Sequence, residues 1–496
     1  MKPSMRALLF AGAAAVLVAH SLVFNFVSDD AFISFVYSRN LAEHGQLVFN
    51  LGDHVEGYTN FLWTVLLGGL LRLGLPLEIT SRVLGTAFGV ATLAVVVSLA
   101  DRLRGRSTAS LLPAYVLATS SGFACWCSGG LETQMFTFFV LLGVDATIAD
   151  RLPRAGLAFG LAALTRPEGA LAFAVVAGHR VVVNALGGRF VPDRRELAGV
   201  AAFLAPFAPY FAWRWWYYGW PFPNTFYVKA GGAPPPGYAR GMLEHGLFYV
   251  WQWAWQTRAV FAAPLVAVGV MRHRRFGGLA LALVGAYLAY ALWVGGDFMG
   301  LHRFIMPATV LTLVLAALGV LALPRWALLL FVPWAVSEAF LTRAALEPVA
   351  DHRIDRPGYL ALYAHDRALM GRALAPHMRP DDFAILGGAG VLPYYARVRG
   401  VDVFGLVSED IAHNEPPTVP RPGHQKWGRA DRVLRTNPTF LFHCYDLHRD
   451  PNRYTLCGEA AYFQSRGYEP VTLHIPGLLE RGEYFTFLKR KDRAWP

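Results

Sequence analysis

Residues 7–36 read ALLFAGAAAVLVAHSLVFNFVSDDAFISFV. The first part, 7–27, is apolar and long enough to cross a bilayer core, which takes about 20 helical residues. It ends on Ser28, Asp29 and Asp30. An apolar run this long exceeds the roughly 7–15 residues of a secretory h-region, and no clear cleavage site follows. The expectation is a retained first span that delivers two adjacent carboxylates to the membrane edge. Phe32, Phe35, Val36 and Leu41 then recur at helical spacing, with Gly45 placed to end the helix.

The rest of the chain agrees with a membrane reading. Hydrophobic residues make up 55% of its 496 residues and charged residues only 16%, against roughly 25% charged in soluble domains. Apolar segments recur at 7–27, 78–100, 109–124, 131–149, 155–164, 169–186, 198–215, 259–272, 278–294, 304–322 and 326–343, about eleven candidate spans, some short. The segments 155–164 and 169–186 are read as a broken pair, tolerated where it lines a cavity. The segment 61–74 is apolar but short, and is read as a helix on or dipping into the outer face.

The net charge of +11 fits basic loops on one side of a membrane, not nucleic-acid binding, since no aromatic-interleaved basic motif appears. Lys2 and Arg6 place the N-terminus inside. The loops with Arg102, Arg104 and Arg106, with Arg151 and Arg154, with Arg180, Arg189, Arg194 and Arg195, and with Arg272, Arg274 and Arg275 then also fall inside. The loops 28–60, 125–130, the Arg166 turn, 216–258, 295–303 and the tail fall outside.

Two domains are expected: a transmembrane domain over 1–344 with a catalytic outer loop 28–60, and an extracytoplasmic α/β domain over 345–496. In the tail FAILGG, DVFGL, TFLFHCY, PVTLHI and YFTFLKR read as strands, and 359–376 and 428–436 as helices. Cys444 and Cys457 close a short loop there, read either as a bridge of an extracytoplasmic domain or as two free thiols. Cys125 and Cys127, two residues apart in an apolar stretch, are poorly placed to pair.

The chemistry-bearing residues fall in the outer loops. A carboxylate at Asp29 or Asp30 suits a general base that takes a proton from an attacking hydroxyl, beside the plainer role of helix capping. Arg166 in LTRPEG sits where Pro167 and Gly169 break an apolar run; it is either a binding cation or half of a structural pair with Glu168. Lys229 in PNTFYVK and Arg303 in GGDFMGLHRF suit phosphate contacts or snorkelling. Glu132 in SGGLETQ and Asp297 beside two glycines suit sugar hydroxyls, although Glu132 also favours a helix N-terminus. The aromatic run from Trp213 to Trp220 reads as an interfacial belt. No nucleotide-phosphate loop, zinc helix or nucleophile elbow occurs, so nothing points to a nucleotide-sugar donor.

These motifs, taken with SDDAFISFVYSRNLAEHGQLVFNLGDHVEGYTNFLW, YYGWPFPNTFYVKA, GLVSEDIA and GHQK, resemble the GT-C membrane glycosyltransferases. Within that family they are similar to the terminal β-(1→2)-arabinofuranosyltransferases of mycobacteria. The resemblance covers nearly the whole chain, and the order of the motifs is its specific part. It implies a GT-C fold with a periplasmic C-terminal domain, in a bacterial inner membrane. It implies inverting transfer from a polyprenyl-phosphate sugar, decaprenylphosphoryl-arabinofuranose for that subfamily, to a cell-envelope glycan or surface protein. It also implies an acidic residue of the first outer loop as catalytic base, here Asp29 or Asp30. Arg166, Lys229, Arg303 and Arg39 are the donor-phosphate candidates. Glu132, Glu56, Tyr58, Asn224, Asp297, His302 and His424 are the sugar or acceptor candidates.

The sequence departs from the family pattern at Val36, where Arg is frequent, and at Gln425, where Glu is frequent. Arg39 is the nearest substitute for the first. The shorter length of this chain suggests a different acceptor. Adjacent aspartates suit a hard divalent cation, but a lipid-monophosphate leaving group carries little charge, so no metal is expected to be required. Two alternatives are a mannose-type lipid-linked donor on the same fold and a transporter of lipid-linked sugars. Against transport, the sequence has no internal repeat and its acidic pair lies at the membrane edge instead of the midplane.

Overall fold

The computed structural model describes residues 4–350 and 353–495; Lys2, used above to orient the chain, lies outside the described residues. The first span is α1 (Met5–Phe24), followed by α2 (Asp29–His44), α3 (Phe61–Arg72) and α4 (Leu77–Arg104). A broken element follows, α5 (Leu112–Thr119) and α6 (Ser121–Ser128), then α7 (Thr133–Ile148), α8 (Leu152–Thr165), α9 (Glu168–Leu186) and α10 (Arg194–Tyr218). The remaining membrane-domain helices are α11 (Asn224–Ala230), α12 (Tyr238–Gln256), α13 (Ala259–Arg272), α14 (Arg274–Val294), α15 (Met306–Val320) and α16 (Phe331–Ala345).

Among the described residues, seven helical segments are long and apolar enough to cross a membrane, and eight if α12 and α13 count as one span bent by 72°. The shorter apolar helices over 109–119, 133–148 and 152–165 account for the rest of the eleven apolar segments. The chain is a multi-pass membrane protein. Two segments differ from the sequence reading. The outer loop 216–258 is no loop along most of its length, because α11 and α12 occupy it. Aromatic and charged residues mask the apolar character of α12 until it packs against α14. The span over 109–124 breaks at Ser120, whose extended backbone separates α5 from α6.

Local chemistry sets several ends. Ser28 is the N-cap of α2, and Gly45, at φ 71°, ends it: its N–H donates to the Leu41 carbonyl at 3.1 Å and the Gln46 N–H to the Asn40 carbonyl at 3.4 Å. Neither Asp29 nor Asp30 caps the helix; both lie in its first turn, where the positive end of the helix favours anions. Asp193 and Glu196 form a reciprocal capping box at the start of α10, with hydrogen bonds of 2.8 and 2.9 Å.

Ion pairs gather the basic loops at one end. Asp101 accepts from Arg6, and Asp145 pairs with Arg102 at 2.8 Å. Asp150 reaches Arg180, Arg195 and Arg275 at 3.0, 3.3 and 4.0 Å. The positive clusters spread along the sequence therefore share a face of the bundle.

The tail opens with α17 (Pro357–Leu374) and carries β1 (Phe383–Leu386), α18 (Val391–Ala396), β2 (Arg399–Asp402), α19 (Glu409–Asn414), α20 (Ala430–Val433), β3 (Phe440–His448), α21 (Ala460–Ser465), β4 (Tyr468–His474) and β5 (Tyr484–Arg490). The sheet order is β2-β1-β3-β5-β4, with β2, β1 and β3 parallel and the other pairings antiparallel. The segment DVFGL is not the strand expected: pairing ends at Asp402, whose carboxylate accepts from the N–H groups of Leu406 (3.1 Å) and Val407 (2.8 Å) and folds the chain into a turn. Cys444 and Cys457 are bridged, and Cys125 and Cys127 are free and buried.

The tail packs onto the loops that precede it. Asn50 exchanges two hydrogen bonds with the backbone of Gly400, at 2.9 and 3.0 Å. Asn224 donates to the carbonyls of Gly405 (2.7 Å) and Leu406 (2.9 Å). His413 lies between the rings of Trp220 and Tyr227, at 4.2 and 4.1 Å. Leu406 of this seam also lines a cavity between the tail and the helices.

Candidate active site

The cavity between the membrane domain and the tail measures about 370 Å³. Five local features feed it. The first turn of α2 supplies Asp29 and Asp30, and the α6–α7 turn supplies Glu132. Arg166 comes from the extended residue between α8 and α9, at φ −154°. Lys229 comes from α11. The α14–α15 loop turns through Gly295 and Gly296, both at left-handed φ, and brings Asp297 and Arg303 inward. A Cβ on Gly296 would lie 2.5 Å from the Tyr249 ring, so the turn needs glycine for space as well as conformation.

The cations are graded by how committed they are. Arg166 pairs with Glu132 at 2.8 Å and with Glu168 at 3.3 Å, and stacks over Phe304 at 5.4 Å. Glu132 in turn accepts from Asn60 at 2.8 Å. This chain of contacts satisfies Arg166 in place, as a structural pair would. Arg303 pairs with Asp297 at 2.6 Å and more loosely with Asp30 at 3.5 Å. Lys229 has no ion pair or hydrogen bond among the described residues, although it lines the cavity. Its side chain is open to the cavity, and the protein mass around it lowers its pKa, while Glu168 and Asp297 oppose that shift.

The two aspartates also divide. Asp29 Oδ1 accepts from the Val391 N–H at 2.8 Å, which ties α2 to the start of α18. Its pKa is raised by burial, against the pull of the Val391 N–H and Arg367. Asp30 keeps 32% of its side chain accessible. Its depth in the protein pushes its pKa up to about 6, with Arg303 opposing and Asp29 and Asp297 adding to the rise.

Tyr58 and His424 line the cavity as well. The Tyr58 hydroxyl meets that of Tyr218 at 3.0 Å. His424 sits edge-on to Phe298 and Phe404, at 4.9 and 4.6 Å, and burial lowers its pKa to about 4. The cavity thus gathers Asp29, Asp30, Glu132, Arg166, Lys229, Asp297, Arg303, Tyr58 and His424.

The remaining candidates lie elsewhere, each held by a structural partner. Arg39 donates to the Tyr394 carbonyl at 2.8 Å and stacks on that ring, so it does not stand in for a cation at Val36, itself buried. Glu56 is buried in an ion pair with Arg214. Asn224 is spent on the tail seam. His302 is buried, bonds Gln256 at 2.8 Å and stays neutral, its pKa lowered to about 3 by burial.

Sequence reasoning missed Arg421, Tyr359 and Tyr363 on the tail side and Tyr290 on α14, all of which line the cavity. Arg421 pairs with Asp355 at 3.0 Å. It stands three residues before His424, so the GHQK segment was a usable signal. The tyrosines had none, since aromatic residues on a helix are ordinarily core. Gln425 lines the cavity with its Oε1 lacking a hydrogen-bond partner among the described residues.

A family described as Domain of unknown function (DUF8728) matches residues 358–487, within the tail. The terminal beta-(1->2)-arabinofuranosyltransferase of Mycobacterium tuberculosis is 28% identical over 345 residues, which is 60% of this chain and 52% of that protein. Its counterpart from Corynebacterium glutamicum is 26% identical over 383 residues, 66% of this chain and 54% of that protein. The chain thus matches about half the length of these relatives. The crystal structure of ArnT from Cupriavidus metallidurans bound to undecaprenyl phosphate superposes with a TM-score of 0.64 at 13% identity, covering 99% of both chains. End to end, then, the chain has the GT-C fold of ArnT, and in sequence it is similar to the terminal beta-(1->2)-arabinofuranosyltransferases.

Proposed function

We propose that this protein is an inverting glycosyltransferase that moves a sugar, arabinofuranose by preference, from a polyprenyl-phosphate donor to a hydroxyl of a cell-envelope glycan or surface acceptor. The observation that carries the reading is one cavity in which a carboxylate of raised pKa, Asp30, lies near an uncommitted cation, Lys229. Such a pairing suits a displacement in which a proton is taken up on one side and negative charge develops on the other.

In that reaction the acceptor oxygen attacks the anomeric carbon, and the new carbon–oxygen bond forms as the bond to the lipid phosphate breaks. Asp30 takes the hydroxyl proton. Its looser contact to Arg303 leaves it more available than Asp29, which the Val391 N–H engages. Lys229 and Arg303 stabilise the departing phosphate. Glu132, held between Arg166 and Asn60, and Asp297 orient sugar hydroxyls. With two cations at hand, we infer that no metal is required. The cationic end of the bundle is read as cytoplasmic and the cavity and tail as outside. The similarity to arabinofuranosyltransferases supports the choice of sugar. A mannose-type donor on the same fold is the second reading.

The test is transfer by the full chain in nanodiscs, with polyprenyl-phosphate arabinofuranose and a short arabinan acceptor, beside the mannosyl donor. Transfer of arabinose that disappears in folded Asp30→Asn supports the proposal. Transfer from the mannosyl donor alone overturns the sugar. Consumption of neither donor, with lipid-linked sugar moved across the bilayer instead, overturns the enzyme reading.

A further inference from the structure

A second cavity, of about 340 Å³, lies at the far end of α8, α9 and α10 from the first. Its lining comes from the first half of α8, from α9 between Phe173 and Ala185, from the loop 189–192 and from the first turns of α10. The cause of the void is visible in the packing. α8 and α10 meet through Gly156 and Gly199, so closely that a Cβ on Gly156 would stand 1.9 Å from the Gly199 carbonyl oxygen. Gly156 and Gly199 therefore put no side chain into the space, and Ala155, Ala177 and Ala185 put in only methyl groups. Phe159 and Phe173 line it more deeply, and at the mouth Phe190 and Val191 are 82% and 75% exposed.

One side of this apolar groove is strongly cationic. Arg180 and Arg189 both line it, and both donate to a single oxygen of Glu196, at 2.6 Å each, with Asn184 a third donor at 2.7 Å. That carboxylate is fully used. Across the rim Arg180, Arg189, Arg195 and Arg275 share only Asp150, Asp193 and Glu196. Arg151, Arg154 and Arg194 are exposed beside them, without ion pairs among the described residues. The groove thus joins an apolar slot to a rim with a surplus of guanidinium charge, at the membrane boundary.

We propose that this groove is a binding site for an anionic phospholipid, with an acyl chain in the slot and the phosphate headgroup against the Arg189–Arg195 rim. An acyl chain fills a mostly apolar slot at little polar cost, and a headgroup phosphate meets the surplus cations in bidentate geometry. A zwitterionic headgroup would bring its own cation to a rim that already has too many. The site is independent of the transferase reading and rests only on the membrane-embedded fold.

Native mass spectrometry of the detergent-purified full chain tests it, after incubation with equal amounts of phosphatidylglycerol and phosphatidylcholine. Phosphatidylglycerol is expected to be retained over phosphatidylcholine by at least about fivefold, the worth of roughly one arginine near an anionic lipid. Arg189→Gln with Arg195→Gln should remove that preference, and Ala177→Phe, which fills the slot, should reduce retention of both lipids. Equal retention of the two lipids by the wild type would overturn the proposal. So would a preference that survives the double substitution, or polyprenyl phosphate displacing phosphatidylglycerol from this groove. Should the variants fail to fold, the wild-type preference must still fall as salt is raised; a salt-independent preference counts against the site.

Discussion

Asp29 and Asp30 are neighbours in sequence and differ in what surrounds them. Asp29 is engaged by the Val391 N–H, while Asp30 has a single loose partner in Arg303. Folded Asp30→Asn is expected to lose about 10²- to 10⁴-fold in transfer rate, the usual worth of a general base. Asp29→Asn should lose less, and its loss should track loosening of the tail. Asp30 must be ionised to accept a proton. With its pKa pushed up to about 6, kcat/KM should fall on acidification below about pH 6 and level off above it. An inflection near the ordinary carboxylate value would assign the base elsewhere. Lys229→Ala should cut kcat/KM by roughly 10- to 100-fold, the equivalent of a hydrogen bond to a charged group, with the change concentrated on the donor. Lys229→Met should behave alike, since the missing part is charge. Chelation by EDTA should leave the rate unchanged if the cations at hand suffice.

At the scale of elements, the seam between α2 and α18 is the sensitive joint. A Cβ on Gly390 would lie 2.4 Å from the Asp29 carboxyl carbon. Gly390→Ala must therefore push α18 off α2, and limited proteolysis should find the tail more easily released than in the wild type. Asn224 makes the matching contact on the other side, with two carbonyls of the tail. Asn224→Ala should destabilise that contact by about 1–3 kcal/mol, because buried carbonyls lose their donor, which a lower melting temperature of the tail would record. The broken helices are held from outside: the break at Arg166 lines the cavity and is paired to Glu132, and after the break at Ser120 the Ser121 N–H donates to Glu338 at 2.6 Å.

For the whole molecule, the ion pairs that collect the basic loops make a topological prediction. In intact cells a membrane-impermeant maleimide should label Ser465→Cys, exposed on the tail, and leave Ser107→Cys, exposed at the cationic end, unlabelled. The reverse pattern would turn the protein over and remove the outward-facing site. The Cys444–Cys457 bridge closes a loop of separation 13. By loop-closure entropy its removal should cost the tail about 3 kcal/mol, seen as a lower melting temperature for Cys444→Ser with Cys457→Ser.

By itself the sequence determined the membrane class, most spans, four of the five tail strands and the identity of the charged residues at the loops. These follow from local quantities: apolar run length, period-two alternation and the cost of putting charge near lipid. It also brought forward Asp29, Asp30, Arg166, Lys229 and Arg303, because an ionisable residue at a membrane edge stands out against an apolar background. The tertiary structure alone decided which of them meet. Asp30 and Arg303 are 273 residues apart in the chain, and no local pattern reports a contact of that range. It separated Asp29 from Asp30, since the difference is a single N–H arriving from the tail. It assigned Arg39, Glu56, Asn224 and His302 to structural partners, and it brought Arg421 and the tail tyrosines to the cavity. Local sequence measures what a residue costs to bury; only the folded chain brings the partner that repays that cost or leaves a side chain free to act.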